Sequence, residues 1–182
     1  MKTPYTIENQ AFTNKAHMTA RKCIYPRIFR NRHIEYQDTI LGSGEAETIL
    51  DGKFAIDRII HVPTSDMKAK IKLTVQERFR KPIHASFRDI SITEWNHASG
   101  SEGELYKLHA NLFLYGYYDE ENDTFIEAIL INVPMLLARM ATSTIKYSIH
   151  YMKDKQQDII NIGFDELKRT GCVMYASKNA RP

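Results

Sequence analysis

The sequence predicts an α/β domain: a mixed central sheet of about five strands flanked by helices. Three observations lead there. An amphipathic helical pattern opens the chain, three β-rich runs and a short helix follow it, and two further runs lead straight into a third helix with its own start signal. At 182 residues, 43% hydrophobic and 26% charged, with 8 Gly and 6 Pro, the composition is that of one ordinary globular unit over 1–182.

Over 6–29, Ile7, Phe12, Ala16, Ala20, Cys23, Ile24 and Ile28 recur at mostly helical spacing between Lys15, Arg21, Lys22 and Arg27. The pattern predicts a helix with a basic outer face, kinked at Pro26. Gly42-Ser43-Gly44 is a flexible break, and Ser43 is placed to cap a short turn over 45–50. The run 53–62 (KFAIDRIIHV) reads as a strand that ends at Pro63, which has no N–H for a central ladder. The run 70–80 alternates Ile71, Leu73, Val75 and Phe79 with Lys72, Thr74, Gln76, Arg78 and Arg80, the mark of a half-buried strand. With 87–95 as a third strand after a short connection, a mostly antiparallel meander is expected. A Ser- and Gly-rich loop then enters a helix near Gly103, with Glu104 and Lys107 spaced to pair. The runs 112–118 and 124–132 are strands around an acidic turn, their Phe113, Tyr115 and Tyr117 sharing one core-facing side. A helix over 133–141 starts from Asn132 as cap with Pro134 in its first turn. One more strand or helix is expected around 158–168, and a loose C-terminus after it.

Several classes are excluded. Cys23 and Cys172 are too few and too far apart for a disulfide framework or a cysteine zinc site, which points to a reducing, cytoplasmic setting. The most apolar stretch, 125–140, falls short of the ~20 residues of a membrane span and holds Glu127, Pro134 and Arg139. No secretory signal opens the chain. The seven histidines show no ligand spacing, and no P-loop or dinucleotide fingerprint is present. Net charge is +3, but residues 1–100 carry 16 basic and 11 acidic side chains against 9 and 11 in the remainder. A basic front half suits a polyanionic partner.

Chemistry concentrates on two acids. Asp57 sits in an apolar run, and Glu77 falls in the row of Val75 and Phe79, so both carboxylates are expected to point inward. Two such neighbours need a proton, a cation or a divalent metal between them. One reading is a buried ion-pair network with Arg58 or Arg78; the other is a site in which oxygen ligands hold Mg²⁺ or Mn²⁺ against a phosphate.

A helix, Leu50-Asp51 and Ile56-Asp57 leading into a strand, a hairpin into Thr74-Val75-Gln76-Glu77-Arg78, and an α/β return with Glu104 and Lys107 resemble the core of the PD-(D/E)XK nuclease superfamily over about 35–140. The resemblance implies a restriction-endonuclease-like fold and metal-dependent hydrolysis of DNA phosphodiesters. It implies Asp57, Glu77 and Gln76 as metal ligands, with Asp57, Glu77, Arg78 and Lys107 as the catalytic set. The acid-x-Lys triplet reads Gln76-Glu77-Arg78 here; an Arg keeps its proton, so Arg78 is expected to stabilise charge rather than to deprotonate water. Arg21, Lys22 and Arg30, with Arg27, Arg32 and the strand residue Arg80, are the expected nucleic-acid contacts. Two alternatives stay open: a catalytically inactive nucleic-acid-binding or assembly protein of this fold, and a structural or oligomeric protein of phage or mobile-element type. Whether the active form is a homodimer is left open as well.

Overall fold

The computed structural model describes residues 7–30, 33–39, 49–50, 53–64 and 68–181. A helix comes first. α1 (Ile7–Thr19) runs through a π-helical segment (Ala20–Ile24) into α2 (Tyr25–Ile28). Pro26 accounts for the widening: it has no N–H for the Lys22 carbonyl and its ring crowds that turn. The chain takes in an extra residue, and the Tyr25 N–H reaches back five residues to the Ala20 carbonyl. The expected kink is thus absorbed as a π turn.

The strands are β1 (Glu35–Asp38), β2 (Arg58–Pro63), β3 (Lys70–Arg80), β4 (Asp89–Asn96), β5 (Ser101–Glu102), β6 (Leu112–Asp119), β7 (Thr124–Asn132), β8 (Ser148–Met152), β9 (Gln157–Gly163) and β10 (Val173–Ala180). Three short helices punctuate them: α3 (Glu104–Lys107), α4 (Val133–Ala141) and α5 (Phe164–Arg169). The central sheet has six strands in the order β1-β2-β3-β6-β7-β10, and a second sheet orders β5-β4-β9-β8. The pair β3–β6 is parallel and the other pairs are antiparallel, so the central sheet is mixed. The fold is α/β, with one strand more than the sequence suggests in its main sheet.

Two cores lie on the two faces of that sheet. Phe12, Ala16, Ala20 and Ile24 of the long helix pack on Ile60, Val75, Leu114 and Leu130. On the other face Phe113, Tyr115, Tyr117, Ile129 and Ile131 share a core with Ile90, Ile92, Ile160 and Ile162 of the second sheet and with Leu136 and Leu167 of α4 and α5. Each such Val, Leu, Ile or Phe side chain, fully buried, contributes about 1.5–3 kcal/mol. Asn132 caps α4 as expected, its Oδ1 accepting from the Met135 N–H at 2.9 Å. Among the described residues no helix is long and apolar enough to cross a membrane.

The structure corrects four expectations. The meander does not form: a 3₁₀ turn (Pro82–Phe87) and a left-handed Arg88 (φ 46°) send the chain away from β3, and β4 joins the second sheet. The neighbour that β3 gains is β6. The first predicted strand begins at Arg58 instead of residue 53, because Lys53 and Phe54 are helical and Ala55 is left-handed (φ 47°). The C-terminus is an ordered strand, β10, paired with β7, and β8 went unseen because its polar-apolar alternation is short. The turn expected over 45–50 lies outside the described residues up to position 48.

Candidate active-site groove

Pairing with β2 stops at Arg58 opposite Val75, so residues 76–80 of β3 have a strand, β6, on one side and an opening on the other. A cleft of about 1210 Å³ fills that opening, bounded by the first half of α1, the end of β3 and one face of the second sheet. A side pocket of about 340 Å³ lies under α3 and shares Gln76, Arg78, Thr93 and Gln157 with it.

Asp57 stands at the fork of β2 and β3. Its N–H donates to the Val75 carbonyl at 3.0 Å and its carbonyl accepts from the Thr39 N–H at 3.0 Å. Its carboxylate Oδ2 then accepts the Glu77 N–H at 2.6 Å, in place of the carbonyl that a longer β2 would have offered. Asp57 is therefore just ahead of the strand in which the sequence placed it, and it lines the cleft.

Alternation turns Gln76, Arg78 and Arg80 toward the second sheet. The buried Gln76 donates from Nε2 to Glu104 Oε1 at 3.3 Å, while its Oε1 has no hydrogen-bond partner. An amide oxygen buried in this way costs about 1–3 kcal/mol; Gln76 lines both cavities, with Asp57 on the cleft and Glu104 on the side pocket. Glu104 Oε2 forms an ion pair with Arg78, which also donates to the Ser91 carbonyl at 2.8 Å. The expected pairing of Glu104 with Lys107 gives way to these partners, and Lys107 stays exposed on the pocket wall. Gly103 lets α3 come this close: its N–H donates to the Glu94 carbonyl at 2.8 Å, and a Cβ there would run into the backbone of Thr93 and Glu94.

Glu77 borders the same cleft, but its carboxylate is engaged on the helix side of β3. It points to the helix face, with no side-chain exposure, and accepts from His17 Nδ1 and from the Tyr25 hydroxyl. The fully buried Arg58 lies with Nη2 at 3.2 Å from Glu77 Oε2 and Nε at 3.1 Å from Asp38 Oδ1, pairs held by charge rather than by aligned hydrogen bonds. Burial pushes the Glu77 carboxyl up, but Arg58, His17 and Tyr25 together hold it below its usual range, so it stays ionised. Burial and the Glu77 charge push the Tyr25 hydroxyl well up, which keeps it a donor. This is the buried ion-pair network of the first reading, built around Glu77 and Arg58.

The remaining basic residues divide. Arg80 lines the cleft, 3.0 Å from Ser91 Oγ and 3.8 Å from Asp89 Oδ1. Arg21 pairs with Asp38 and lies over the Tyr36 ring, while Lys22 and Arg30 are exposed but line neither cavity. Arg88 holds Glu127 at 3.0 and 3.2 Å, away from Asp57. Phe113, Tyr115 and Tyr117 are core, as their shared face predicts. The sequence reading missed His17, Tyr25 and the burial of Arg58. His17 does keep helical step with Ala20 and Ile24, and Arg58 keeps strand step with Ile60 and Val62.

Among the described residues no three His, Cys, Asp or Glu side chains group as a metal site. Asp57, Gln76 and Glu104 bring hard oxygen donors to the two adjoining cavities, and Gln76 Oε1 is buried there without a hydrogen-bond partner. No family model, curated protein or solved structure matches the chain.

Proposed function

We propose that the groove hydrolyses phosphodiester bonds of DNA with the help of Mg²⁺ or Mn²⁺, in the manner of the PD-(D/E)XK nucleases that the sequence resembles. The observation that carries this reading is the buried, unpartnered Oε1 of Gln76 beside Glu104. A cation bound there would polarise the phosphate and lower the pKa of a coordinated water. Asp57, Gln76 and Glu104 would hold it. Lys107, on the pocket wall one helical turn from Glu104, supplies the ammonium that position 78 lacks, and Arg78 places a fixed positive charge where negative charge develops on the phosphate.

The test is Mn²⁺ calorimetry on the wild type, Asp57→Ala and Gln76→Ala, with circular dichroism to verify folding, followed by cleavage assays on single- and double-stranded DNA. Specific binding lost in both variants, with metal-dependent product from the wild type, is expected. A folded wild type that takes up no Mn²⁺ overturns the reading. The ion pair of Arg78 with Glu104 favours a second one: a cation of the chain already serves that carboxylate, as suits a non-catalytic nucleic-acid-binding protein. Such a protein binds DNA with a steep salt dependence and yields no product.

A further inference from the structure

The side pocket and the fork at Asp57 occupy one end of a cleft much larger than they need. Its cavity of about 1210 Å³ exceeds the roughly 300–1,000 Å³ of a small-molecule site. The floor is the outward face of the second sheet, where Ser91, Thr93, Gln157 and Asn161 offer uncharged donors and acceptors. Arg78 and Arg80 stand along the β3 wall, and the exposed Lys155 stands at the rim. Asp89 also faces the cleft, with Arg80 3.8 Å away.

Phe87 completes the set. It ends the 3₁₀ turn that lifts the chain off β3, is 65% exposed, and lines the cleft. Its ring stacks on His84 at 6.3 Å with the planes 25° apart. Burial, with the neighbouring Arg80, holds the His84 imidazole below its usual range, so the ring behind Phe87 is uncharged at neutral pH. A bare aromatic ring at the mouth of a polar cleft, where Arg78, Arg80 and Lys155 stand beside Asp57, Glu77 and Asp89, has a specific use: an unpaired base stacks on it while the cations track the backbone. A paired duplex hides its base faces and cannot use that ring without unstacking.

We infer that the cleft takes single-stranded polynucleotide, with Phe87 as the stacking platform for one base and Arg80 and Lys155 as phosphate contacts. The inference rests on the nucleic-acid reading above and names its substrate class; it does not depend on catalysis.

The experiment is fluorescence anisotropy in EDTA, so that no metal-dependent cleavage intervenes. Labelled oligo-dT, its RNA counterpart and the same dT strand annealed to its complement are titrated with wild type, Phe87→Ala, Phe87→Trp and Lys155→Gln. Either single strand is expected to bind at least about tenfold tighter than the duplex, with the DNA and RNA arms identifying the sugar preferred. Phe87→Ala is expected to weaken single-strand binding about tenfold and to leave duplex binding unchanged, while Phe87→Trp restores it. Lys155→Gln should flatten the salt dependence. Equal or tighter duplex binding, or a Phe87→Ala variant that binds the single strand like wild type, overturns the inference. Phe87 is exposed, so folding does not confound the result. Duplex cleavage without single-strand binding sinks this inference and spares the nuclease reading; single-strand binding without Mn²⁺ uptake does the reverse.

Discussion

Replacing Arg58 by Met removes the cation that faces Glu77 on the helix side of the sheet, and the cost follows from their burial. Neither side chain of the pair has any exposure. Deleting one partner of such a pair typically costs about 3–5 kcal/mol, because the other charge is left uncompensated. With Arg58 gone, Glu77 keeps only the His17 and Tyr25 hydrogen bonds and can become neutral by taking up a proton. From an unfolded value of about 4.3, neutrality at pH 7 costs 2.7 units at 1.36 kcal/mol each, about 3.7 kcal/mol, whereas at pH 5 it costs about 1 kcal/mol. The wild type behaves differently. Its folded Glu77 titrates below the unfolded value, so the stabilisation is fully present above about pH 4.3 and is lost only as pH falls through the lower folded value. The difference between wild type and Arg58→Met, measured by urea denaturation with circular dichroism, is therefore expected to shrink by about 2.7 kcal/mol between pH 7 and pH 5. Adding Glu77→Gln should recover most of the loss, since a neutral amide needs no cation. A loss below about 1 kcal/mol at pH 7, or one equal at both pH values, refutes the ionised pair.

Three further outcomes are expected. Asp57→Asn keeps an oxygen for the Glu77 N–H, so stability should stay within about 1 kcal/mol of wild type while calorimetric Mn²⁺ binding disappears; a large loss of stability makes Asp57 a structural residue. Gly103→Ala forces a methyl against the Thr93 and Glu94 carbonyls and should cost about 1–3 kcal/mol while loosening Glu104, so an unchanged urea midpoint and Mn²⁺ affinity would contradict the close approach of α3. Asn132→Ala uncaps α4 and should lower stability by about 1 kcal/mol in a thermal melt, with no effect on the groove.

What the sequence disclosed was set by range. Local signals held. β3 has the predicted bounds, and α4 has its predicted cap, because alternation and capping depend on neighbours a few residues apart. Pairing over long distances was hidden. Nothing in the run 87–95 says that it leaves β3, since that is decided by one left-handed residue, Arg88, at the exit of a short turn. The site was half legible: Asp57, Gln76, Arg78 and Lys107 do line connected cavities. Glu77 lies on the face that parity gave it and pairs with Arg58, but its partners His17 and Tyr25 were hidden, because the helix that supplies them is 60 and 52 residues away in sequence.

That division explains why the triplet at 76–78 looks irregular. Successive side chains of a strand face opposite ways, so Gln76 and Arg78 look into the groove while Glu77 looks into the helix-side core. The acid in the middle borders the groove, but its carboxylate is engaged by Arg58, His17 and Tyr25. Anchored by Arg58, it instead fixes the height of the long helix against β3, and its N–H fixes Asp57 at the fork. The one strand thus ties a structural carboxylate to a groove-facing one through a single backbone amide. Glu77→Gln alone keeps that amide and leaves Arg58 with Asp38 as its remaining acidic partner. It should therefore destabilise the fold in urea while any Mn²⁺ affinity of the folded fraction survives, and a loss of metal binding without a loss of stability would return Glu77 to the groove.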